Sequence, residues 1–229
     1  MRYDQGHRAE SRKRITQSAS QLFRRDGIGA TAVAAVMSAS DLTHGGFYWH
    51  FESKERLVCE ALAEAQGARL RRIERRLSMA DGGVEAVIRD YLSRCHVADV
   101  ATGCTSAALA PEVARSSSEV RAAYTRGLLE HFEGISKALP PELQPRVPAV
   151  YAMLVGCVQL ARACDDERVA DDILASGLKA ALSLFESGRQ NRLRKISSRQ
   201  RLPQPGVGHD VLPDVRPHDD QEQRLCQPQ

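Results

Sequence analysis

Apolar residues recur along this chain at intervals of three and four positions, so helices are expected nearly throughout. Over residues 10–26, Ile15, Ala19, Leu22 and Phe23 share one helical face, and Gly27 follows where a left-handed residue ends a helix. Thr31 stands as a cap before a short run, Ala32 to Met37, and Ser38 to Leu42 reads as a turn. A second short helix is expected from Thr43, with His44, Gly45 and Gly46 in its first turn. Phe47 and Phe51, four apart, anchor that helix to a core, Trp49 reads as a wedge between helices, and Tyr48 faces outward. Long helix, short helix, turn and short helix within about fifty residues make a helix-turn-helix set in a three-helix unit.

The same spacing continues in longer elements. Ser53 caps a helix striped by Leu57, Val58, Ala61, Leu62, Ala65, Leu70, Ile73 and Leu77, and Asp81-Gly82-Gly83 breaks it. Val84, Val87, Ile88, Tyr91, Leu92 and Cys95 predict one buried helix, and Thr105 or Ser106 is placed to cap a short alanine-rich helix toward Ala114. Ser116 to Ser118 opens a helix striped by Val120, Tyr124, Leu128, Phe132, Ile135 and Leu139, which Pro140-Pro141 ends. Two more helices carry Val147 to Val158 and Ile173 to Phe185, and Ala149, Ala152, Gly156 and Gly177 are small enough to let a partner helix approach. The expected fold is all-α. Residues 1–52 are expected to form a helix-turn-helix domain, 53–188 a second helical domain, to which a family resemblance assigns ligand binding and dimerisation, and 189–229, where apolar periodicity stops, a disordered tail with a basic start.

Composition narrows the class. With 229 residues, 42% hydrophobic and 5% aromatic, the chain can build a core, and helix-on-helix packing suits it better than a sheet sandwich. A net charge of +3 alone names no partner, but Arg8, Arg12, Lys13, Arg14, Arg24, Arg25, Lys54 and Arg56 flank the helix-turn-helix and are candidates to neutralise phosphates. The six cysteines are scattered without a CxxC pair or metal-ligand spacing to histidine, which implies reduced thiols, a cytoplasmic setting and no bound metal. The first residues lack an apolar signal core, and no apolar run approaches the ~20 residues of a membrane span. No phosphate-cradling glycine loop, nucleophile elbow or zinc-protease motif occurs, so neither an enzyme nor a cofactor is expected.

The segment Thr43-His44-Gly45-Gly46-Phe47-Tyr48-Trp49-His50-Phe51, followed by Ser53-Lys54-Glu55 and Leu57 and preceded by Thr31 and a turn ending at Leu42, resembles the TetR/AcrR family of transcriptional regulators. The resemblance covers roughly residues 10–60. It implies that Thr31, Tyr48, Lys54 and His50 meet DNA phosphates, and that Thr43, His44, Gly45 and Gly46 face the major groove of a double-stranded operator. Asp41 stands where the family usually has the turn glycine, and aspartate tolerates the left-handed backbone better than most residues. The resemblance further implies a homodimer reading a palindrome, repression relieved by a small-molecule effector, and a pocket in the C-terminal helices.

Candidate effector residues are those that put polar tips on apolar stripes: Tyr91, Cys95, His96, Cys104, Tyr124, His131 and Tyr151. Cys104 opens a short helix, whose amides favour a thiolate, and its Gly-Cys context resembles one branch of the family. A thiol-based sensor of oxidants or electrophiles acting through Cys104 is therefore the alternative reading. A helical enzyme or an interaction scaffold has less in the sequence to support it.

Overall fold

The structure is a computed structural model that describes the backbone of residues 2–199 and the side chains of residues 6–185. Its regular elements among the described residues are all helical: α1 (Arg2–Asp26), α2 (Val33–Ala39), α3 (Phe47–His50), α4 (Lys54–Ser78), α5 (Val84–Tyr91), α6 (Arg94–Ala98), α7 (Thr105–Ala114), α8 (Ser118–Ser136), α9 (Val147–Ala163) and α10 (Glu167–Arg199). Single 3-10 turns at His44–Gly46 and Gln144–Arg146 lead into α3 and α9. The all-α expectation holds.

Local signals were followed closely where backbone chemistry alone decides. Gly27 ends α1 with φ 93°, a backbone conformation in which a side chain is strained. Asp41 takes φ 55° in the turn between α2 and the reading segment, the left-handed conformation anticipated for it. Ser53 caps α4 by accepting the Arg56 N–H at 3.0 Å.

Several expectations fail. Thr31 is not the cap of α2. Ala32 occupies that position, and both the hydroxyl and the N–H of Thr31 turn back to the Gly27 carbonyl, at 2.7 and 3.2 Å. Thr43 precedes a 3-10 turn instead of an α-turn and makes no side-chain cap. The buried helix expected over Val84 to Cys95 breaks at Leu92–Ser93, where Ser93 caps α6 through the His96 N–H at 3.2 Å, so Cys95 turns out to solvent. Cys104, not Thr105 or Ser106, precedes α7. The last helix runs past the boundary drawn at 188, its backbone helical to Arg199, and the remainder of the expected tail lies outside the described residues.

Two apolar cores result. Ile15, Phe23, Met37, Phe47, Phe51 and Leu57 centre the first, which α7 and α8 join through Leu109, Val113, Val120 and Ala123. Ile88, Tyr91, Leu92, Val150, Leu154, Val158 and Leu174 centre the second. Helix α4 crosses α8 closely because α8 has glycine at the contact: a Cβ on Gly127 would lie 2.2 Å from Gln66 Oε1, and one on Gly134 2.7 Å from Leu70 Cδ1. Gln66 is buried there and donates to the Tyr124 carbonyl at 3.0 Å. Gly177 serves α9–α10 packing within the chain, since its Cβ would lie 2.4 Å from Cys157 Sγ, whereas nothing lies within 4 Å of one at Gly156.

Candidate nucleic-acid interface and effector cluster

The reading segment is held from below and open above. Phe47 and Phe51 are both buried, with ring centroids 5.8 Å apart and their planes 20° from parallel, which fixes α3 on the first core. Thr43, His44 and Gly45 are exposed side by side at its N-terminal end, and a Cβ on Gly45 would meet nothing within 4 Å. Gly46 is half-hidden behind them, with Met37 Cε 3.7 Å from its would-be Cβ. Tyr48 is 74% exposed. Trp49 is 60% exposed, so the expected wedge is in fact a surface ring.

The basic residues around the segment have more structural work than their sequence suggested. Arg8 donates to the Trp49 carbonyl at 2.9 Å and sets its guanidinium 5.0 Å from the indole centroid. Arg12 donates to the His50 carbonyl, pairs with Glu60 through both ends of its fork, and lies 4.2 Å from the centre of the Phe51 ring. Two arginines of α1 thus satisfy the last carbonyls of α3, which a four-residue helix cannot satisfy alone. Arg24 is buried and donates to the Ala101 carbonyl at 2.7 Å, with its pKa drawn down to about 10 by burial. Arg25 pairs with Asp26, and Arg56 with Glu60 and Glu119. Lys54, partly buried at the first turn of α4, has no carboxylate partner among the described residues. His50 sits behind the exposed face: its Nδ1 is enclosed without a partner, and burial, then Arg8, Arg12 and His7, lower its pKa. Thr31 is buried, its hydroxyl committed to Gly27.

The second core contains a connected polar cluster. Ser106 Oγ lies 2.7 Å from the Tyr124 hydroxyl and 3.0 Å from that of Tyr151, which is 3.4 Å from Cys104 Sγ. The Cys104 N–H donates to His96 Nε2 at 3.2 Å, and His96 Nδ1 lies 2.6 Å from the Tyr91 carbonyl. A carbonyl only accepts and an amide N–H only donates, so His96 carries its proton on Nδ1 and is neutral. Burial, chiefly, and then the charge of Arg69 push its pKa down to about 4. His131 packs on Tyr151 with ring centroids 6.3 Å apart, and Tyr91 does so at 6.4 Å. Burial raises the phenol pKa of Tyr91, Tyr124 and Tyr151, which keeps all three protonated.

Of the candidate effector residues, Tyr91, His96, Cys104, Tyr124, His131 and Tyr151 converge here and Cys95 does not. Ser106, which bridges two of the tyrosines, was read from sequence only as a helix cap. The signal that could have found it is the pair of tyrosines on facing stripes, whose buried hydroxyls require a small polar partner. Cys104 itself is 1% exposed.

A three-helix head with an outward-facing short helix, joined to a helical body with a buried polar cluster, is a helix-turn-helix architecture. Residues 15–61 match the family described as bacterial regulatory proteins, tetR family. The fold is similar to that of a TetR-family regulator from Cytophaga hutchinsonii, at 18% identity with a TM-score of 0.63, covering 77% of this chain and 96% of that one. It is similar to a TetR regulator from Chloroflexus aurantiacus J-10-FL at 23% identity, TM-score 0.61, covering 78% and 96%. The reduced form of NemR from E. coli aligns at 19% identity, TM-score 0.61, covering 73% and 95%. No curated protein sequence matches the chain. The tetR-family match thus lies in the N-terminal unit, and beyond it the chain shares the all-helical fold of these solved structures.

Proposed function

We propose that the protein is a dimeric, cytoplasmic repressor that leaves a palindromic operator when a small molecule occupies the polar cluster of its second core. The observation that carries this reading is the open face of Thr43, His44 and Gly45 beside the exposed Tyr48, above a buried Phe47–Phe51 anchor. Tyr48 and Lys54 grip phosphates, Thr43 and His44 read base edges, and Gly45 lets the backbone come near the groove. Gly46 lies behind that face, and Thr31 and His50 act through the position of the turn and of α3, since each side chain is turned inward. Trp49 joins the phosphate-facing set, exposed with the Arg8 guanidinium over its ring.

A palindrome requires a two-fold partner. On α9, Ala149, Ala152, Gly156 and the 59%-exposed Leu160 lie along one outward stripe, and Val169 and Leu184 are exposed on α10. An apolar face of this kind on adjacent helices supports a four-helix interface between two copies. The small-molecule reading is preferred over the thiol sensor because Cys104 is enclosed by Tyr151, His96 and α7, where dissolved oxidants do not reach it.

Footprinting on DNA upstream of the protein's own gene tests the reading. Protection of a palindromic segment at ~150 mM salt is expected, a concentration at which nonspecific contacts weaken; no protected palindrome would overturn it. Lys54→Ala and Tyr48→Phe should weaken binding to all sequences alike, and His44→Ala should change the preference at particular bases.

A further inference from the structure

Helix α4 carries a run of arginines whose charges are not all matched. Arg71 pairs with Glu64 at 3.8 Å, and Arg76 pairs with Asp81 at 3.1 Å and with Asp90 at 2.9 Å. Arg69 and Arg72 make no ion pair among the described residues. Arg69 is the sharper case, because its Nε is enclosed and has no hydrogen-bond partner. The charge of Asp99 reaches Arg72, but the Asp99 carboxylate is occupied by the Thr102 N–H, at 3.0 Å, and by the Thr102 hydroxyl.

These arginines border one cavity. Arg69, Arg72 and Arg76 line a crevice of about 40 Å³ between α4 and α5, together with Asp90, Ile73 and Val87. Residues 69, 72, 73 and 76 are three or four apart and share one face of α4. Ile73 and Val87 are buried whereas Arg72 and Asp90 are exposed, so the crevice has an apolar floor and a charged rim. Asp90 is matched by Arg76, which leaves two guanidinium groups facing the crevice without a counter-charge.

An enclosed N–H without an acceptor is costly, and an unmatched guanidinium attracts an anion. A neutral acceptor meets only the first need, and an ammonium meets neither. A carboxylate meets both, since its two oxygens can accept from two guanidinium forks at once. The floor of Ile73 and Val87 offers a short alkyl chain a place to bury, which a bare phosphate cannot use.

We propose that the crevice between α4 and α5 binds a small alkyl carboxylate, its oxygens accepting from Arg69 and Arg72 and its chain lying on Ile73 and Val87. Arg76, held by two aspartates, is a wall of this site and not a ligand. The assignment goes beyond the repressor reading and does not require it. Arg69 nevertheless touches both sites: its guanidinium lies 5.2 Å from the centre of the Tyr91 ring, and, after burial, its charge lowers the pKa of His96 and His131. An anion on Arg69 offsets that charge, so occupancy of the crevice is felt in the cluster.

The test is an NMR titration of the full chain, without DNA and at low salt, with propionate, acetate, inorganic phosphate, 1-propanol and propylammonium, following the arginine Nε–H and histidine resonances. Propionate should bind saturably at neutral pH and about threefold more tightly than acetate, for the further CH₂ it buries. It should also exceed phosphate, and the alcohol and the amine should not bind. Arg72→Gln alters an exposed position and leaves the fold intact; it should weaken propionate at least about fivefold. Arg69→Gln should do the same, whereas Arg75→Gln, on the same helix but outside the crevice, should not. Saturating propionate should raise the pH at which His131 titrates, and should leave it unmoved in Arg69→Gln. Absence of saturable propionate binding, equal affinity for acetate, tighter binding of phosphate, equal binding of the alcohol, equal weakening in Arg75→Gln, or a His131 titration that propionate does not move would each overturn the assignment. Operator footprinting is read separately, so failure here leaves the repressor reading standing.

Discussion

His96 makes the stability of this protein depend on pH in a way its geometry determines. Protonating the ring would place an N–H on Nε2 directly against the Cys104 N–H, 3.2 Å away, and would add a charge among Arg69 and Arg162 in a buried site. The unfolded chain meets no such penalty and protonates near 6.5, whereas the folded one resists until about 4. Between those values the unfolded state binds the extra proton, so stability is fully present above about 6.5 and is lost as the pH falls toward 4. The gap corresponds to roughly 3 kcal/mol over the whole window, at about 1.4 kcal/mol for each tenfold change in proton activity. His131 and His50 are shifted in the same direction, so the native chain should respond more steeply than one histidine requires.

The measurement is urea unfolding at intervals from pH 7 to 4.5, on the native chain and on His96→Gln, with the imidazole resonances followed by NMR. Glutamine removes the titration and keeps a polar side chain between the two backbone groups. The variant should be less stable at pH 7 but should lose roughly 2–3 kcal/mol less than the native chain by pH 4.5. Carboxylate contributions cancel in the difference. Parallel pH profiles for the two proteins, or a His96 resonance that titrates near 6.5, would refute the reasoning.

Three further outcomes follow from backbone geometry. Gly45→Ala should leave thermal stability unchanged or slightly raised, because the added methyl meets nothing within 4 Å, yet operator affinity measured by fluorescence anisotropy should fall if the backbone approaches the groove. Asp41→Gly should stabilise by about 0.5–1 kcal/mol in urea titrations by relieving a left-handed residue at φ 55°, and Asp41→Val should destabilise. Glu112→Ala removes a carboxylate that accepts the Gly29 N–H at 2.9 Å; a loss of about 1 kcal/mol is expected, together with an operator affinity less responsive to effector.

What the sequence made legible was whatever a single helix or turn decides by itself. The stripes on α4, α8 and α9, the stop at Gly27, the strained turn at Asp41 and the Phe47–Phe51 anchor all follow from spacing and residue type. Assignments that depend on distant partners, or on a cap competing with an apolar stripe, were not legible. Arg8 and Arg12 look like phosphate ligands until α3 is seen to end beside them, 38 or more residues away in the chain. Ser93 outcompetes the apolar stripe at the α5–α6 break because its hydroxyl offers the His96 N–H a cap, and that break sends Cys95 outward while turning His96 in. The six effector candidates that converge were recoverable because a polar tip on an apolar stripe is buried wherever the stripe is buried. Their hydrogen-bond pattern, including Ser106, needed the facing helices in place.

Helix α7 is the element through which occupancy of the cluster can reach the reading head. Its first residues belong to the cluster: the N–H of Cys104, just before it, is held by His96, and Ser106 holds Tyr124 and Tyr151. Its middle and end belong to the other core, where Leu109 and Val113 pack with α1 residues, and Glu112 binds the Gly27–Gly29 turn that leads through Thr31 into α2. Ten helical residues span about 15 Å and do not shorten. A ligand that moves Tyr151 or Tyr124 must therefore break the bonds of Ser106 or carry α7 with them. In the second case Glu112 draws on the turn through the Gly29 N–H, 2.9 Å from its carboxylate. Helix α4 also runs from the first core to α5, but it is packed closely on α8 at Gly127 and Gly134, where no side chain fits between them. Movement is thus expected first in α7, and the orientation of α2 and α3 should follow the state of Ser106 more directly than that of any residue on α4.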